Sequence, residues 1–253
     1  MKKKEYLNQL NQFRTNNQIF KDIDSEIVEL KFESLKDFNI FHDYKFVCKW
    51  FTEIRLKNKM NVKNITFNEC ENWSFNKKKT KFQHDSGHFY YIESKRVFSG
   101  IREVNNSYWD QPFITQVGYD GGIIGLIRKR FDGIPHYLCE AKSEPGNYKI
   151  VQLSPSLQAT FSNIYQKHKG RAPYFSKIFL NANKRDIIFN KWFSEDGGRL
   201  FNKRNKGILI NYNKKIENIP KNFIWLSLWQ IKKLIYTKNA IVNPHLRSLV
   251  SFI

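Results

Sequence analysis

The chain has 253 residues, of which 41% are hydrophobic and 16% aromatic, and its formal net charge at pH 7 is +20. This length and apolar content predict one large domain with a sizeable core. No apolar run is long enough to cross a bilayer, and the N-terminal residues lack the apolar core of a signal peptide. We therefore expect a cytoplasmic protein that does not bind membranes.

The three cysteines, Cys48, Cys70 and Cys139, are odd in number and widely spaced along the chain. This spacing predicts reduced, structural thiols rather than a disulfide framework or a zinc site.

The strongly basic composition would ordinarily indicate nucleic-acid binding, because clustered Lys and Arg side chains neutralise phosphates. Here the basic residues form short groups that are scattered from Lys2 to Lys233. Such scattering favours a solvated basic surface. A nucleic-acid-binding module remains the alternative from another functional class, and its affinity would fall steeply with salt.

Helical spacing of apolar residues dominates the first fifth of the chain. Tyr6, Leu10 and Phe13 recur at this spacing, and so do Val47 and Phe51 further on. The pattern predicts helices in both stretches.

The middle of the chain is rich in β-branched and aromatic residues and predicts strands. The predicted strands are Phe89–Ile92, Arg96–Ile101, Phe113–Tyr119 and Ile123–Arg130, with a turn at Asp120-Gly121-Gly122. Helical spacing then returns over Ser156–Gly170. Later strands are predicted at Phe201 and at Ile208–Tyr212.

Two helix starts are marked by capping residues near the C-terminal end of the sequence. Ser227 precedes an apolar helical pattern, and Asn243 is followed by Pro244. A polar cap followed by proline in the first turn is typical of a helix N-terminus.

The segment 136–154 predicts a strand hairpin with one polar face. If His136–Glu144 is extended, Glu140, Lys142 and Glu144 share a face, and Gln152 and Ser154 share a face of the return strand Tyr148–Ser154. Pro145-Gly146 predicts a type II turn, in which glycine adopts positive φ.

The polar face of this hairpin allows two interpretations. A solvated sheet face carrying Glu–Lys ion pairs is the usual one. The directional hydrogen-bonding side chains Gln152, Ser154, Gln158 and Thr160 favour a functional site instead.

Six segments, in order and spacing, resemble the NDP-hexose 2,3-dehydratase family: HDSGHFYYIES (84–94), WDQPFITQ (109–116), AKSEPGN (141–147), VQLSPSLQATFSN (151–163), SEDGGRLFNKRN (194–205) and WLSLWQIKKLI (225–235). The resemblance implies an α+β, Nudix-like fold: a mixed β-sheet with flanking helices. It also implies a division into an N-terminal helical extension, residues 1–45, and a single dehydratase domain, residues 46–253. Members of the family resemble tandem duplications of this unit, so a single copy is expected to form a homodimer.

The family's reaction, implied by the resemblance, removes water across C2 and C3 of dTDP-4-keto-6-deoxyglucose. It needs a base for the C3 proton, a stabilising group for the C4 oxyanion and an acid for the departing hydroxyl. No cofactor is needed. Lys142 is the expected oxyanion partner, and Glu144 is the first candidate for the base unless it only pairs with Lys142. His84 is the second candidate, because histidine ordinarily titrates near neutral pH.

Nucleotide binding requires stacking platforms and cations for the diphosphate. Trp109 and Tyr174 are the candidate platforms, although core packing explains Trp109 equally well. Basic side chains suit phosphate oxygens, and the remaining candidates for substrate contacts are Gln111, Gln152, Ser154, Gln158, Arg171, Lys203, Arg204 and Asn205. No metal site is expected, and a subunit that binds a nucleotide sugar without catalysis remains a third hypothesis.

Overall fold

A computed structural model describes residues 2–98, 107–119, 121–167 and 169–253. The helices are α1 Lys2–Asn16, α2 Ser25–Glu33, α3 Tyr44–Leu56, α4 Phe161–Ile164, α5 Ser176–Leu180, α6 Leu228–Thr237 and α7 Pro244–Val250. The strands are β1 Trp73–Phe75, β2 Lys81–His84, β3 Tyr90–Phe98, β4 Tyr108–Gln116, β5 Gly122–Phe131, β6 Ile134–Ser143, β7 Val151–Ser154, β8 Leu157–Thr160, β9 Ile187–Ser194, β10 Arg204–Asn211 and β11 Phe223–Leu226.

Two sheets organise these elements. The smaller sheet is antiparallel, in the order β1-β2-β3-β4, and the larger has the order β11-β6-β5-β10-β9, with β7 added to β6 and β8 added to β5. The β5–β10 pair is parallel. The smaller sheet is joined to the β9–β10 connection at Ile114, which pairs with Leu200. This mixture of sheets and helices confirms the expected α+β class.

The core occupies both faces of the larger sheet. On one face Leu126, Leu153 and Leu226 pack against α3, α6 and α7. On the other face Ile127 and Leu157 pack with apolar residues of α4 and α5. These strand residues are at most 2% exposed, so the hydrophobic effect fixes the sheet between two helical layers.

A single buried hydroxyl lies where β5 changes partners. β5 pairs with β8 over Gly122–Gly125 and with β6 from Ile127 onward. Between the two pairings, Ser156 Oγ accepts from the Ile127 amide (2.9 Å) and donates to the Leu138 carbonyl (2.5 Å). The larger sheet therefore opens at Ser156 without leaving these two backbone groups unpaired.

A buried ionic network joins the N-terminal helices to β5. The Arg128 side chain is fully buried, with Nη2 at 2.5 Å from Glu33 Oε1 and 3.2 Å from Glu29 Oε2. Tyr6 donates to Glu29 and Tyr137 to Glu33, each at 2.7 Å. Residues 1–45 thus pack on the rest of the chain, and their separate status as an extension stays a prediction.

The structure confirms the N-terminal helices, the hairpin strands and both capped helices. Ser227 accepts from the Gln230 amide and Asn243 from the Leu246 amide. The register also confirms the polar face of the hairpin, since Glu140 lies opposite Ser154 and Lys142 opposite Gln152.

Several local predictions are wrong. The helix expected over Ser156–Gly170 begins only at Phe161, because residues 157–160 form β8 and pair with β5. Residues 89–98 contain the single strand β3 rather than parts of two strands, and Phe201 lies in a turn. β1, β2, β9 and β11 have no counterpart among the predicted strands.

The type II turn is also wrong, since Gly146 lacks positive φ, which falls instead on Lys149 and Ile150. The Glu144 carbonyl accepts from the Asn147 amide (3.1 Å) and the Glu144 amide donates to the Ile150 carbonyl (3.0 Å). A wider loop therefore closes the hairpin. Positions 99–101, 120 and 168 of other predicted elements lie outside the described residues.

The Arg128 network gives a stability prediction. Arg128→Met removes the cation beside the buried carboxylate of Glu33, while Glu29 keeps its ion pair with Arg130, so the free energy of unfolding should fall by about 3–5 kcal/mol. The measurement is urea denaturation. Lys215→Ala is the control, because its ion pair with Glu217 is exposed and such pairs contribute at most about 1 kcal/mol. Equal, small losses in the two variants would contradict a structural role for Arg128.

Candidate active site

The candidate site is a cleft between the two sheets, with two adjoining parts. The polar compartment has a volume of about 260 Å³ and includes Glu144, Gln158, Glu195, Lys203, Asn205 and His245. The aromatic compartment, about 490 Å³, includes Trp73, His84, Phe89 and Tyr90. Thr160, Asn163, Leu200 and Lys203 line both compartments, so the two form one continuous cleft.

Glycines at the start of β5 allow this cleft to form. Gly121 has φ +68°, and a Cβ there would lie 2.1 Å from the Arg204 carbonyl oxygen. A Cβ on Gly122 would lie 2.3 Å from the Ala159 carbonyl oxygen. Only glycine therefore lets β8 and β10 approach the start of β5 closely enough to place Gln158 and Asn205 in one cleft.

Gln158 occupies the centre of a hydrogen-bond network. Its Nε2 donates to both carboxylate oxygens of Glu144 (3.2 and 3.1 Å). Its Oε1 accepts from Ser154 Oγ (2.8 Å) and from Asn243 Nδ2 (2.6 Å). The network fixes the side-chain amide of Gln158 and thereby orients the Glu144 carboxylate.

Lys142 lies on the other side of Gln158. Its Nζ donates to the Gln158 carbonyl (3.3 Å) and is 3.7 Å from Glu140 Oε2, within a smaller cavity of about 120 Å³ that Tyr174 also lines. The ion pair of Lys142 is thus with Glu140. Burial raises the pKa of Glu140 above its usual value, and repulsion from Glu144 adds to the shift while Lys142 opposes it.

Glu195 and Lys203 face each other across the β9–β10 connection, where the Glu195 amide donates to the Lys203 carbonyl (3.0 Å). His245 Nε2 lies 3.0 Å from Glu195 Oε1, and Asn205 Nδ2 donates to the same oxygen. The hydrogen bond with His245 is the main reason that the pKa of Glu195 is lowered. Burial lowers the pKa of Lys203, although Glu195 opposes the shift, and Lys203 Nζ donates to Gln116 Oε1.

His84 is positioned by a turn at the end of β2. Its Nδ1 accepts from the Ser86 amide (3.1 Å), and its ring contacts Trp73 and Phe89 edge to face. His84 therefore belongs to the aromatic compartment, whereas Glu144 belongs to the polar one.

The other predicted residues are dispersed. Trp109 Nε1 donates to Gln111 (3.1 Å), and Gln111 donates to the Gly198 carbonyl. Arg204 lies over the Trp192 ring, Gln152 donates to the Ala240 carbonyl (2.7 Å), and Arg171 is exposed. The cleft thus brings together Glu144, Gln158, Lys203, Asn205 and His84 from the predicted set.

Sequence reasoning missed Glu195, His245 and the aromatic residues Trp73, Phe89 and Tyr90. Glu195 lies in the segment SEDGGRLFNKRN, which offered a signal, whereas His245 has no neighbour in sequence that marks it. In the described part of the chain, no three His, Cys, Asp or Glu side chains cluster as metal ligands would. None of the described helices has the length and apolar character needed to cross a membrane.

Comparison with known proteins gives one family. The family described as NDP-hexose 2,3-dehydratase matches residues 45–253. A dTDP-4-dehydro-6-deoxy-alpha-D-glucopyranose 2,3-dehydratase of Saccharopolyspora spinosa is 32% identical over 209 residues, covering 83% of this chain and 42% of the relative. The enzyme of the same name from Amycolatopsis orientalis is 32% identical over 210 residues, covering 81% and 43%. The chain spans less than half the length of these relatives.

Two solved structures show a weak similarity to this chain. A Nudix hydrolase from M. smegmatis has a TM-score of 0.31 at 11% identity, covering 62% of this chain and 90% of that protein. The C. elegans Ap4A hydrolase has a TM-score of 0.30 at 16% identity, covering 51% and 95%. TM-scores this low establish neither a shared fold nor a shared function.

Proposed function

Because the chain belongs to the NDP-hexose 2,3-dehydratase family, we propose that it removes water across C2 and C3 of a nucleotide-linked 4-keto-6-deoxyhexose. The dTDP-linked sugar is the first substrate to test, since the curated relatives are named for it. The observation that best supports this proposal is the two-part cleft, with acidic, basic and imidazole groups in one compartment and aromatic rings in the other.

The polar compartment supplies groups that this chemistry needs. The C4 carbonyl acidifies the C3 proton, and a positioned carboxylate can remove it. Loss of the C2 hydroxyl then gives an enol, which tautomerises to a 3,4-diketo-2,6-dideoxy sugar. Glu144 is the proposed base, since Gln158 holds both of its oxygens in place.

The boundary between the compartments suits a diphosphate. Lys203 lines both parts, and a cation there would place the sugar among the polar groups and the base among Trp73, Phe89 and Tyr90. Aromatic faces stack on nucleobases. Lys142 lies in the separate smaller cavity, where its Nζ donates to the Gln158 carbonyl, so we assign it the positioning of Gln158 rather than a direct contact with the C4 oxygen.

Cytoplasmic location, homodimer formation and the absence of nucleic-acid binding stay predictions of the same proposal. The nucleic-acid alternative gains no specific support from the cleft, which contains two acidic side chains, Glu144 and Glu195.

The direct test is incubation with dTDP-4-keto-6-deoxyglucose while mass spectrometry follows the loss of water. Survival of this substrate and of its UDP and GDP analogues would refute the proposal. A thermal shift with dTDP, but no turnover of any of the three, would instead favour a binding subunit without catalysis.

Glu144→Gln should lower turnover by about two to four powers of ten, because an amide of similar size cannot accept the C3 proton. Steady-state kinetics measure the change. Glu217→Gln, at an exposed ion pair, is the control and should keep full activity. Wild-type turnover in a folded Glu144→Gln protein would remove Glu144 from the mechanism.

Lysine substitutions should separate binding from turnover. Lys203→Met should weaken dTDP binding roughly 10- to 100-fold, the usual effect of losing a charged hydrogen bond. Lys142→Ala should instead lower turnover by about 10-fold at little cost in affinity, because one charged hydrogen bond that holds Gln158 is lost. Calorimetry with dTDP and steady-state rates distinguish the two effects, with exposed Lys191→Met as the control. Unchanged dTDP affinity in Lys203→Met, or unchanged turnover in Lys142→Ala, would refute the corresponding role.

A further inference from the structure

The polar compartment contains a second acid–base group that the sequence did not indicate. Glu195 follows β9 and His245 lies in the first turn of α7, 50 residues away, yet His245 Nε2 is 3.0 Å from Glu195 Oε1. Both line the same compartment as Glu144. Glu144 and the Glu195–His245 pair therefore border the same small space.

The pair is held from both sides. Asn205 donates to the Glu195 oxygen that contacts His245. On the helix side, Asn243 accepts from the Leu246 amide (2.9 Å) and donates to Ser154 Oγ (2.9 Å), which fixes the start of α7 against the cleft. An imidazole held by an ionised carboxylate has a defined orientation, as in other carboxylate–histidine pairs.

The direction of the hydrogen bond decides which ring atom is free to react. The lowered pKa of Glu195 means that its carboxylate is ionised near neutral pH and only accepts hydrogen bonds. His245 Nε2 is therefore the donor, and Nδ1 makes no hydrogen bond to the residues that the structure describes. The protonated ring therefore carries one N–H, at Nδ1, that no described residue accepts.

We propose that His245 is a catalytic residue that protonates the departing C2 hydroxyl, with Glu195 as its positioning residue. The assignment rests on the proposed dehydration. Glu144 takes the C3 proton and leaves an enolate on C3, C4 and the C4 oxygen. The C4 carbonyl then re-forms as the enolate electrons make the C2=C3 bond, the C2–O bond breaks, and the proton on Nδ1 joins the hydroxyl to leave as water. No atom of the protein is oxidised or reduced, and both side chains regain their protonation states by exchange with solvent.

The test separates proton removal from departure of the hydroxyl. In D2O, His245→Gln should still incorporate deuterium at C3 of recovered dTDP-4-keto-6-deoxyglucose, while loss of water slows by about two to four powers of ten. Glu144→Gln should abolish both. His42→Gln is the matched control, because His42 stacks on Phe46 in the N-terminal region, and it should behave as wild type.

A substrate analogue with fluorine in place of the C2 hydroxyl distinguishes loss of the proton donor from a general structural defect of the variant. Fluoride leaves without a proton, so His245→Gln should eliminate it at nearly the wild-type rate. Glu195→Gln should slow loss of water by about 10- to 100-fold. With the fluoro analogue, the elimination rate of this variant should return to nearly the wild-type value.

The possible failures are distinct. Wild-type loss of water in His245→Gln, loss of deuterium incorporation together with elimination, or equal slowing of the fluoro analogue would each overturn the role of His245. If wild-type protein neither exchanges the C3 proton nor releases water from any of the three nucleotide sugars, the proposed function fails instead.

Discussion

The hydroxyl of Ser156 holds the larger sheet open where the candidate site begins. If the strands were paired along their whole length, no side chain could enter between β8 and β6. Separating them, however, leaves one backbone amide and one carbonyl without partners, and each unpaired group lowers the free energy of unfolding by about 1–3 kcal/mol. Ser156 satisfies the Ile127 amide and the Leu138 carbonyl together. The chain can therefore diverge, and Gln158, two residues later, enters the space between the strands.

The position of Gln158 makes the two sides of the hairpin interdependent. Its side chain reaches Glu144 in the cleft, while its backbone carbonyl accepts from Lys142 on the opposite side. Lys142 therefore holds the backbone of Gln158 and Glu144 contacts its side chain. The two contacts lie in separate cavities, and both depend on the position of this one residue.

Features determined by local chemistry could be predicted from the sequence. The caps at Ser227 and Asn243 depend on neighbouring residues, and strand alternation alone predicts that Glu140 and Lys142 share a polar face, which the register confirms. β8 could not be predicted, since residues 157–160 are extended by pairing with β5, far away in sequence. The type II turn predicted after β6 is wrong for a related reason. The Glu144 amide pairs with the Ile150 carbonyl, so the loop that closes the hairpin extends beyond Pro145-Gly146.

The same distinction holds for the site. Glu144, Gln158 and Lys203 lie in segments whose polar patterns are visible in the sequence. His245, in contrast, is distinguished from other histidines only by its contact with Glu195, which lies 50 residues away in the chain. Asn243 connects His245 with Gln158, because it caps the helix that carries His245 and also donates to Gln158 Oε1. A shift of α7 would therefore displace the imidazole and loosen the amide that orients Glu144. His245 and Glu144 are both positioned through Asn243, so the start of α7 fixes where these two side chains lie in the cleft.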